Sequence, residues 1–336
     1  MAVYMLIFFA ALGIALVGTP VAQRVALRAG FVQNPSARRV HTSPTPLLGG
    51  AAIYLAFVAA LLLANNRPPA EYRQLAGILV GATLMALVGL WDDRYSLPAA
   101  VKMGGQIIAA TVVIWSGIQV EFLHNEVLNL LASYLWLVGV SNAINFLDNM
   151  DGLAGGTVAI ACAFFFLLAA TNDQILVASL SAALLGACVG FLRYNFNQAR
   201  IFMGDTGTLF LGLVVAALGI KLRFENQAIV TWMIPVMVLG LPLFDTTLVV
   251  ISRLRRRVNP FTTAGKDHTS HRLVDLGLSK REAVLALYNV CFVFGMASLF
   301  LLNATIFEGY VTGAMVAAIC LLALYRLEFA RKTVPH

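Results

Sequence analysis

Apolar residues run nearly uninterrupted through long stretches, and the polar residues gather between them rather than alternating with a helical or strand period. The apolar runs fall at roughly 2–18, 50–65, 75–91, 104–120, 127–147, 155–170, 174–192, 206–221, 228–251, 283–302 and 309–328. A bilayer core asks this of a helix, because the hydrocarbon leaves no backbone group to water and requires about 20 apolar residues to cross. The pattern therefore predicts an all-α integral membrane protein with about eleven transmembrane helices. Within the ninth run, Pro242 removes an intrahelical hydrogen bond and predicts a kinked helix. No internal repeat is visible.

Composition strengthens that reading. Of 336 residues, 60% are hydrophobic and 12% charged, where a soluble domain carries roughly a quarter charged; the mean hydropathy is +0.83. No Lys or Arg precedes the first run, the first basic residue being Arg24, so a cleaved signal peptide is not expected and an outside N-terminus is favoured. Counting Lys and Arg in alternate loops puts 19 of the 23 on one side. That side is expected to be cytoplasmic, together with the C-terminus. The net charge of +7 then lies mostly on one face, suited to anionic lipid headgroups and anionic substrates. Nucleic acid is excluded as a partner, because the basic residues sit in short loops against the bilayer. Cys162, Cys188, Cys291 and Cys320 fall inside apolar runs without paired spacing and read as packing residues. The chain reads as one polytopic domain, 1–336, with a His/Arg loop at 253–283.

The polar residues that need another explanation cluster at the expected cytoplasmic helix ends. In Asn142-Ala-Ile-Asn145-Phe-Leu-Asp148-Asn149-Met-Asp151-Gly152, amides and acids recur every third residue. Residues three apart turn by about 300° on a helix, so they converge only if the helix stops near Asn149 to Gly152. No glutamate follows at the spacing a calcium-binding EF-hand requires. Asp92 and Asp93 end the third run, with Arg94 and Lys102 able to offset their repulsion. Arg200, Phe202 and Gly204-Asp205-Thr206-Gly207 lead into the eighth run, where glycines let backbone N–H groups approach an anion. Asp245 lies inside the ninth run, where an acid is more often functional than structural. His268, His271 and Arg272 share a helix face that Asp267 can cap, and Ser279 with Glu282 spells a capping box. A Pro/Gly-dense loop carrying Arg38, Arg39 and His41 supplies a basic rim.

Together these motifs resemble the polyprenyl-phosphate N-acetylhexosamine-1-phosphate transferases, a family of membrane enzymes. The resemblance rests on Pro44-Thr-Pro-Leu-Leu-Gly-Gly50, Asp92-Asp93 with Lys102, Asn142-x-x-Asn145-x-x-Asp148-x-x-Asp151-Gly152, Phe202-Met-Gly-Asp-Thr-Gly207, Asp245-Thr246 and the His loop, in the family's order. It implies transfer of N-acetylhexosamine-1-phosphate from a UDP-sugar to undecaprenyl phosphate in a cytoplasmic-face cleft, with release of UMP. It further implies Mg2+, with Mn2+ as a substitute, held by Asp205 and Asn145. By the same resemblance Asp92, Asp93 and Lys102 flank the lipid phosphate, and Asp148 lies near the metal or that phosphate. Asp151 and Phe202 hold and stack uracil, while His268, His271 and Arg272 grip phosphate or sugar. Asn142, Arg200, His41 and Asp245 complete the expected substrate-binding set. Oligomeric state is left open, a homodimer included.

The loop departs from the N-acetylglucosamine-type pattern His-x-His-His in carrying Ser270 before His271. It also lacks the three consecutive histidines of the muramoyl-pentapeptide branch, so the sugar is an open choice, with N-acetylglucosamine favoured by the Arg-rich approach. The pentapeptide transferase and a transferase for another UDP-N-acetyl sugar are the alternatives. A secondary transporter is the rival from another class, since broken helices with intramembrane acids also build ion sites.

Overall fold

The computed structural model describes residues 1–33, 45–62, 69–224, 230–260, 263 and 265–329. The chain forms an all-α membrane protein divided into two compact units, Met1–Arg223 and Phe224–His336. In the first unit α1 (Ala2–Ala29) precedes a two-stranded antiparallel ladder, β1 (Val32–Gln33) with β2 (Thr45–Pro46). Then come α2 (Gly49–Leu62), α3 (Pro69–Tyr95), α4 (Ala99–Trp115), α5 (Glu126–Leu147), α6 (Leu153–Ala170), α7 (Ile175–Asn195) and α8 (Gly204–Lys221). The second holds α9 (Met233–Val238), α10 (Gly240–Arg255), α11 (Thr269–Asp275), α12 (Lys280–Leu302) and α13 (Ile306–Glu328).

Eight helices among the described residues are long and apolar enough to cross a membrane, and α2 and α4 are shorter apolar helices. The ninth apolar run is divided into α9 and α10, meeting at Leu239 three residues before Pro242. Several helices continue past their apolar run. Thus α1 extends through Arg24 and Arg28 to Gly30, whose left-handed φ of 70° ends it, because polar residues can continue a helix outside hydrocarbon.

The centre of the first unit is α8. Every residue from Gly204 to Ile220 is buried except Asp205, and α2, α3, α5, α6 and α7 pack around it. A helix that is apolar on all sides belongs in a core, so the acid in its first turn is carried by the best-packed element of that unit. The neighbours come close enough to fix it: a Cβ on Gly89 of α3 would overlap the Asp205 backbone. At the other extreme α13 buries only Gly309 and Glu328 and exposes Phe307, Tyr310, Met315, Ile319 and Leu322, the surface expected of a helix facing lipid. The capping box predicted at Ser279 and Glu282 forms at the start of α12, and Thr305 with Glu308 forms a second at the start of α13.

Candidate active site

Four helix ends of the first unit bring the chemistry together. Asp92 and Asp93 come from the last turn of α3, Lys102 from the first turn of α4, Asn145 and Asp148 from the end of α5, and Asp205 from the start of α8. The Lys102 ammonium bridges two acids, lying 3.1 Å from Asp92 Oδ2 and pairing with Asp205 Oδ2. The three side chains are 17–25% exposed, enough for a substrate to reach them and low enough for charge interactions to exceed those in bulk water. On the other oxygen of Asp205, Asn145 Nδ2 donates over 2.7 Å, and it also donates to Thr208 Oγ1 over 2.8 Å. Asp205 is therefore held from both sides, by an ammonium and by an amide.

The adjacent acids divide their work. One residue is about 100° of helical turn, so Asp92 faces Lys102 and the Leu97 N–H, which donates to its Oδ1 over 2.6 Å, whereas Asp93 faces away from both. Asp93 accepts from the backbone N–H groups of Asp205 (2.8 Å) and Thr206 (3.0 Å) and from the Thr206 hydroxyl (2.7 Å). No side chain within α8 caps that helix, so Asp93 of α3 caps it from across the fold and satisfies N–H groups that a helix start leaves open. Gly204, with a left-handed φ of 66°, brings its backbone against the Asp93 carboxylate, where a Cβ would collide. Asp93, expected beside the lipid phosphate, is thus placed behind Asp205, holding it.

The end of α5 follows the sequence expectation. Asp148 terminates the helix as its C-cap, and Gly152 takes a φ of 80° before α6. Asp148 opens onto the cluster; burial in the surrounding protein, with repulsion from Asp205, Asp93 and Asp151, pushes its carboxyl up to about 7. Its side chain is nevertheless accessible to water, which reduces this shift. The next acid turns elsewhere: Asp151 Oδ2 accepts from the Ala199 N–H over 2.8 Å. Beside it Asn195 accepts from Gly152 N–H and donates to Ile201 carbonyl, both at 2.9 Å. The loop before α8 is thereby fastened to the Asp151 turn. Sequence reasoning passed over Asn195, although an amide at the end of an apolar run was a signal.

Phe202 links two motifs through its backbone. Its N–H donates to Pro46 carbonyl (2.8 Å), its carbonyl accepts from Gly49 N–H (3.0 Å), and Gly50 N–H reaches Met203 carbonyl (2.9 Å). The Pro-x-x-Gly-Gly segment and the Gly-Asp-Thr-Gly segment thus form one local structure that seats the start of α8. Asn142 is placed differently: its amide pairs reciprocally with that of Gln106 on α4 and donates to Val138 carbonyl. Arg200 is exposed. His41 lies outside the described residues.

The second unit carries its own polar cluster. Asp245, 2% exposed, accepts from Thr269 N–H (2.6 Å) and lies 2.7 Å from His268 Nδ1. It caps α11, the part expected of Asp267. Asp267 instead pairs with Arg253 (3.0 Å) and Arg256 (2.6 Å); although burial opposes its charge, the hydrogen bond from Arg253 and the Arg256 charge hold its carboxyl below the usual range. Arg272, expected to grip phosphate with the histidines, is buried and ion-paired to Glu328. The rings of His268 and His271 are 6.3 Å apart; burial, followed by the charges of His268 and Lys266, lowers the His271 pKa, so at pH 7 its imidazole is mostly neutral. Ser270 is buried.

Fold and site define an integral membrane protein whose first unit presents acids, an amide and one ammonium at converging helix ends, a set suited to phosphate chemistry. Residues 75–223 match glycosyl transferase family 4, a stretch that contains every member of the Asp205 cluster. The chain is similar to the probable undecaprenyl-phosphate N-acetylglucosaminyl 1-phosphate transferase of Bacillus subtilis, 36% identical over 308 residues covering 89% of this chain and 85% of the relative. It is similar to the decaprenyl-phosphate N-acetylglucosaminephosphotransferase of Mycolicibacterium smegmatis, 33% identical over 79% of this chain and 73% of the relative. A third relative, the phospho-N-acetylmuramoyl-pentapeptide-transferase of Bacillus thuringiensis, is 31% identical over 77% of this chain and 84% of its own. The chain belongs to glycosyl transferase family 4 and is a transferase of the polyprenyl-phosphate sugar-phosphate kind. The transporter reading falls with that assignment.

Proposed function

We propose that the protein transfers N-acetylglucosamine-1-phosphate from UDP-N-acetylglucosamine to undecaprenyl phosphate on the cytoplasmic face of a bacterial membrane. The observation that carries the reading is the arrangement around Asp205, in which one carboxylate is held between Lys102 and Asn145 at the start of a buried helix. The Bacillus subtilis and Mycolicibacterium smegmatis relatives, 36% and 33% identical, are named for N-acetylglucosamine transfer, which supports that sugar over the muramoyl-pentapeptide. The 19-to-4 division of Lys and Arg supports a cytoplasmic site. An eleven-span topology follows if α2, α4 and the α9–α10 pair cross with the eight longer helices.

The reaction forms a bond from a lipid-phosphate oxygen to the β-phosphorus of the donor. It breaks the bond from that phosphorus to the oxygen shared with the α-phosphate, which leaves with UMP. A phosphate monoester has a second pKa near 6, so the acceptor is mostly dianionic at pH 7 and gains little from a base such as Asp92. The obstacle is repulsion between two anions. Lys102 supplies a fixed positive charge, and its pairing with Asp92 and Asp205 keeps it aimed at the cluster. Asn145, itself bonded to Thr208, keeps the Asp205 carboxylate in one orientation, and Asp93 fixes the backbone beneath it, so little reorganisation remains for the transition state.

Carboxylate oxygens of Asp205, with Asp148 nearby and the amide oxygen of Asn145 available if its carboxamide turns over and releases Asp205, are the hard donors that Mg2+ takes, and such sites are completed by water and substrate phosphates. Among the described residues no group of three or more His, Cys, Asp or Glu is placed to hold a metal ion by itself, so water and substrate phosphates would have to complete the coordination. Asp205 and Asn145 would hold the ion, which would neutralise charge on the transferring phosphoryl group. Purified protein given Mg2+, undecaprenyl phosphate and a panel of UDP-sugars should release UMP fastest with UDP-N-acetylglucosamine and stop with EDTA. UMP from none of them would end the proposal, and a preference for the muramoyl-pentapeptide donor would move it to the other branch.

The Asp148 carboxyl gives a pH signature. Its pKa is raised toward about 7, so a proton competes with a cation for the carboxylate as pH falls toward and below that value, and the competition fades above it. Apparent Mg2+ affinity should therefore weaken as pH falls from 8 to 6, by up to about tenfold per unit below the pKa, with proton release on binding. Asp148→Asn should flatten the dependence; an unchanged slope would place the ion away from Asp148.

A further inference from the structure

The last helix ends in a carboxylate that nothing in its own sequence surroundings explains. Along α13 only Gly309 and Glu328 are buried, so the single buried charge of an otherwise lipid-type helix sits at its final residue. Its side chain is 2% exposed, and both oxygens are taken: Oε2 lies 2.7 Å from Arg272 Nη2 and Oε1 lies 2.8 Å from Arg255 Nε. The arginines grip the same helix end by its backbone. Arg272 Nη1 donates to Leu327 carbonyl (2.5 Å) and Arg255 Nη2 to Glu328 carbonyl (3.4 Å). Arg272 also donates from Nε to Asp267 carbonyl over 2.8 Å. One residue therefore ties together three pieces of chain: the end of α10, α11 with its histidines, and the end of α13.

We propose that Glu328 is a positioning residue for the transfer reaction, acting through Arg272 to set where α11 holds His268 and His271. The chemistry of the pair supports a fixed geometry. A guanidinium anchored to a carboxylate and two carbonyls has its planar fork fully directed, and α11 is a seven-residue helix with no side-chain cap from its own N-cap residue. Such a helix depends on its neighbours for orientation. It is held at its start by Asp245 on Thr269 N–H and along its length by Glu328 on Arg272. Loss of the Glu328 carboxylate removes the charged anchor of Arg272 and leaves it only the Asp267 and Leu327 carbonyls, so α11 and its two imidazoles are held less firmly relative to Asp245.

The role rests on the transferase reading above, and the test separates the two. UMP release is measured for the full chain in nanodiscs, comparing wild type, Glu328→Gln, Glu328→Asp, Arg272→Gln and the Glu328→Gln/Arg272→Gln double variant, with melting temperature recorded for each. The expected result is a kcat about tenfold lower for Glu328→Gln at saturating donor and acceptor, measured well below its melting temperature. Glu328→Asp should recover part of that loss, and the double variant should be no slower than Arg272→Gln. Glu328→Gln with wild-type kcat and only a lowered melting temperature would overturn the positioning role, as would losses that multiply in the double variant. No UMP from wild-type protein would overturn the transferase reading and this role with it.

Discussion

Asp205→Asn is expected to slow UMP release by about a thousandfold or more, the scale of losing a preorganised charge at a phosphoryl-transfer centre. The substitution keeps the size of the side chain and leaves an oxygen for Asn145 and a neighbour for Lys102, so the fold around it should hold. What it removes is the charge: Asp205 is an acid between an ammonium and an amide, and a neutral amide is a far poorer ligand for Mg2+. The Mg2+ concentration giving half-maximal rate should rise along with the loss of kcat, and the melting temperature should change little. Retention of most of the activity at ordinary Mg2+ would show that the metal lies elsewhere.

Asp93→Ala is expected to act through the fold first. It leaves two backbone N–H groups and the Thr206 hydroxyl at the start of α8 without their acceptor. A lost cap costs about 1 kcal/mol, and a buried unpaired donor about 1–3 kcal/mol, so the protein should lose about 3 kcal/mol of stability. Turnover should fall with it, because the backbone carrying Asp205 is no longer held. Asp93→Asn keeps an acceptor oxygen and should be milder in both respects. Asp92→Asn should barely move the melting temperature, since Asp92 faces Lys102 and one loop N–H. Thermal unfolding of the three variants in one detergent tests this; equal losses for Asp92→Asn and Asp93→Ala would remove the division between the two acids.

That division shows where sequence reading stops. Asp92 and Asp93 are the same residue type in neighbouring positions, and their partners lie on α4 and α8, so only the packed fold assigns one to the cluster and the other to a helix cap. The apolar runs marked the helices because hydrocarbon forces that pattern, and the break at Asn149 to Gly152 was legible because the polar side chains had no other way to converge. Helix ends were less legible, as in α1, since polar residues outside the bilayer continue a helix as readily as they end it. In the His loop, Asp267 stands at the right spacing to cap α11, yet Arg253 and Arg256 draw its carboxylate away and Asp245 takes the N–H. Glu328 was invisible for a related reason: an acid closing an apolar helix looks solvated until two arginines from other elements are found around it.

The central claim is that the Asp205 cluster transfers a sugar with its phosphate, and the fate of the donor's β-phosphorus tests it most directly. UDP-N-acetylglucosamine labelled with 32P at the β-position is incubated with purified protein, Mg2+ and undecaprenyl phosphate, and the lipid and aqueous phases are separated. Sugar-1-phosphate transfer predicts label in the lipid phase, with one unlabelled UMP in the aqueous phase for each labelled lipid. Label remaining in the aqueous phase as UDP would mean that the sugar moved without its phosphate, and would contradict the account.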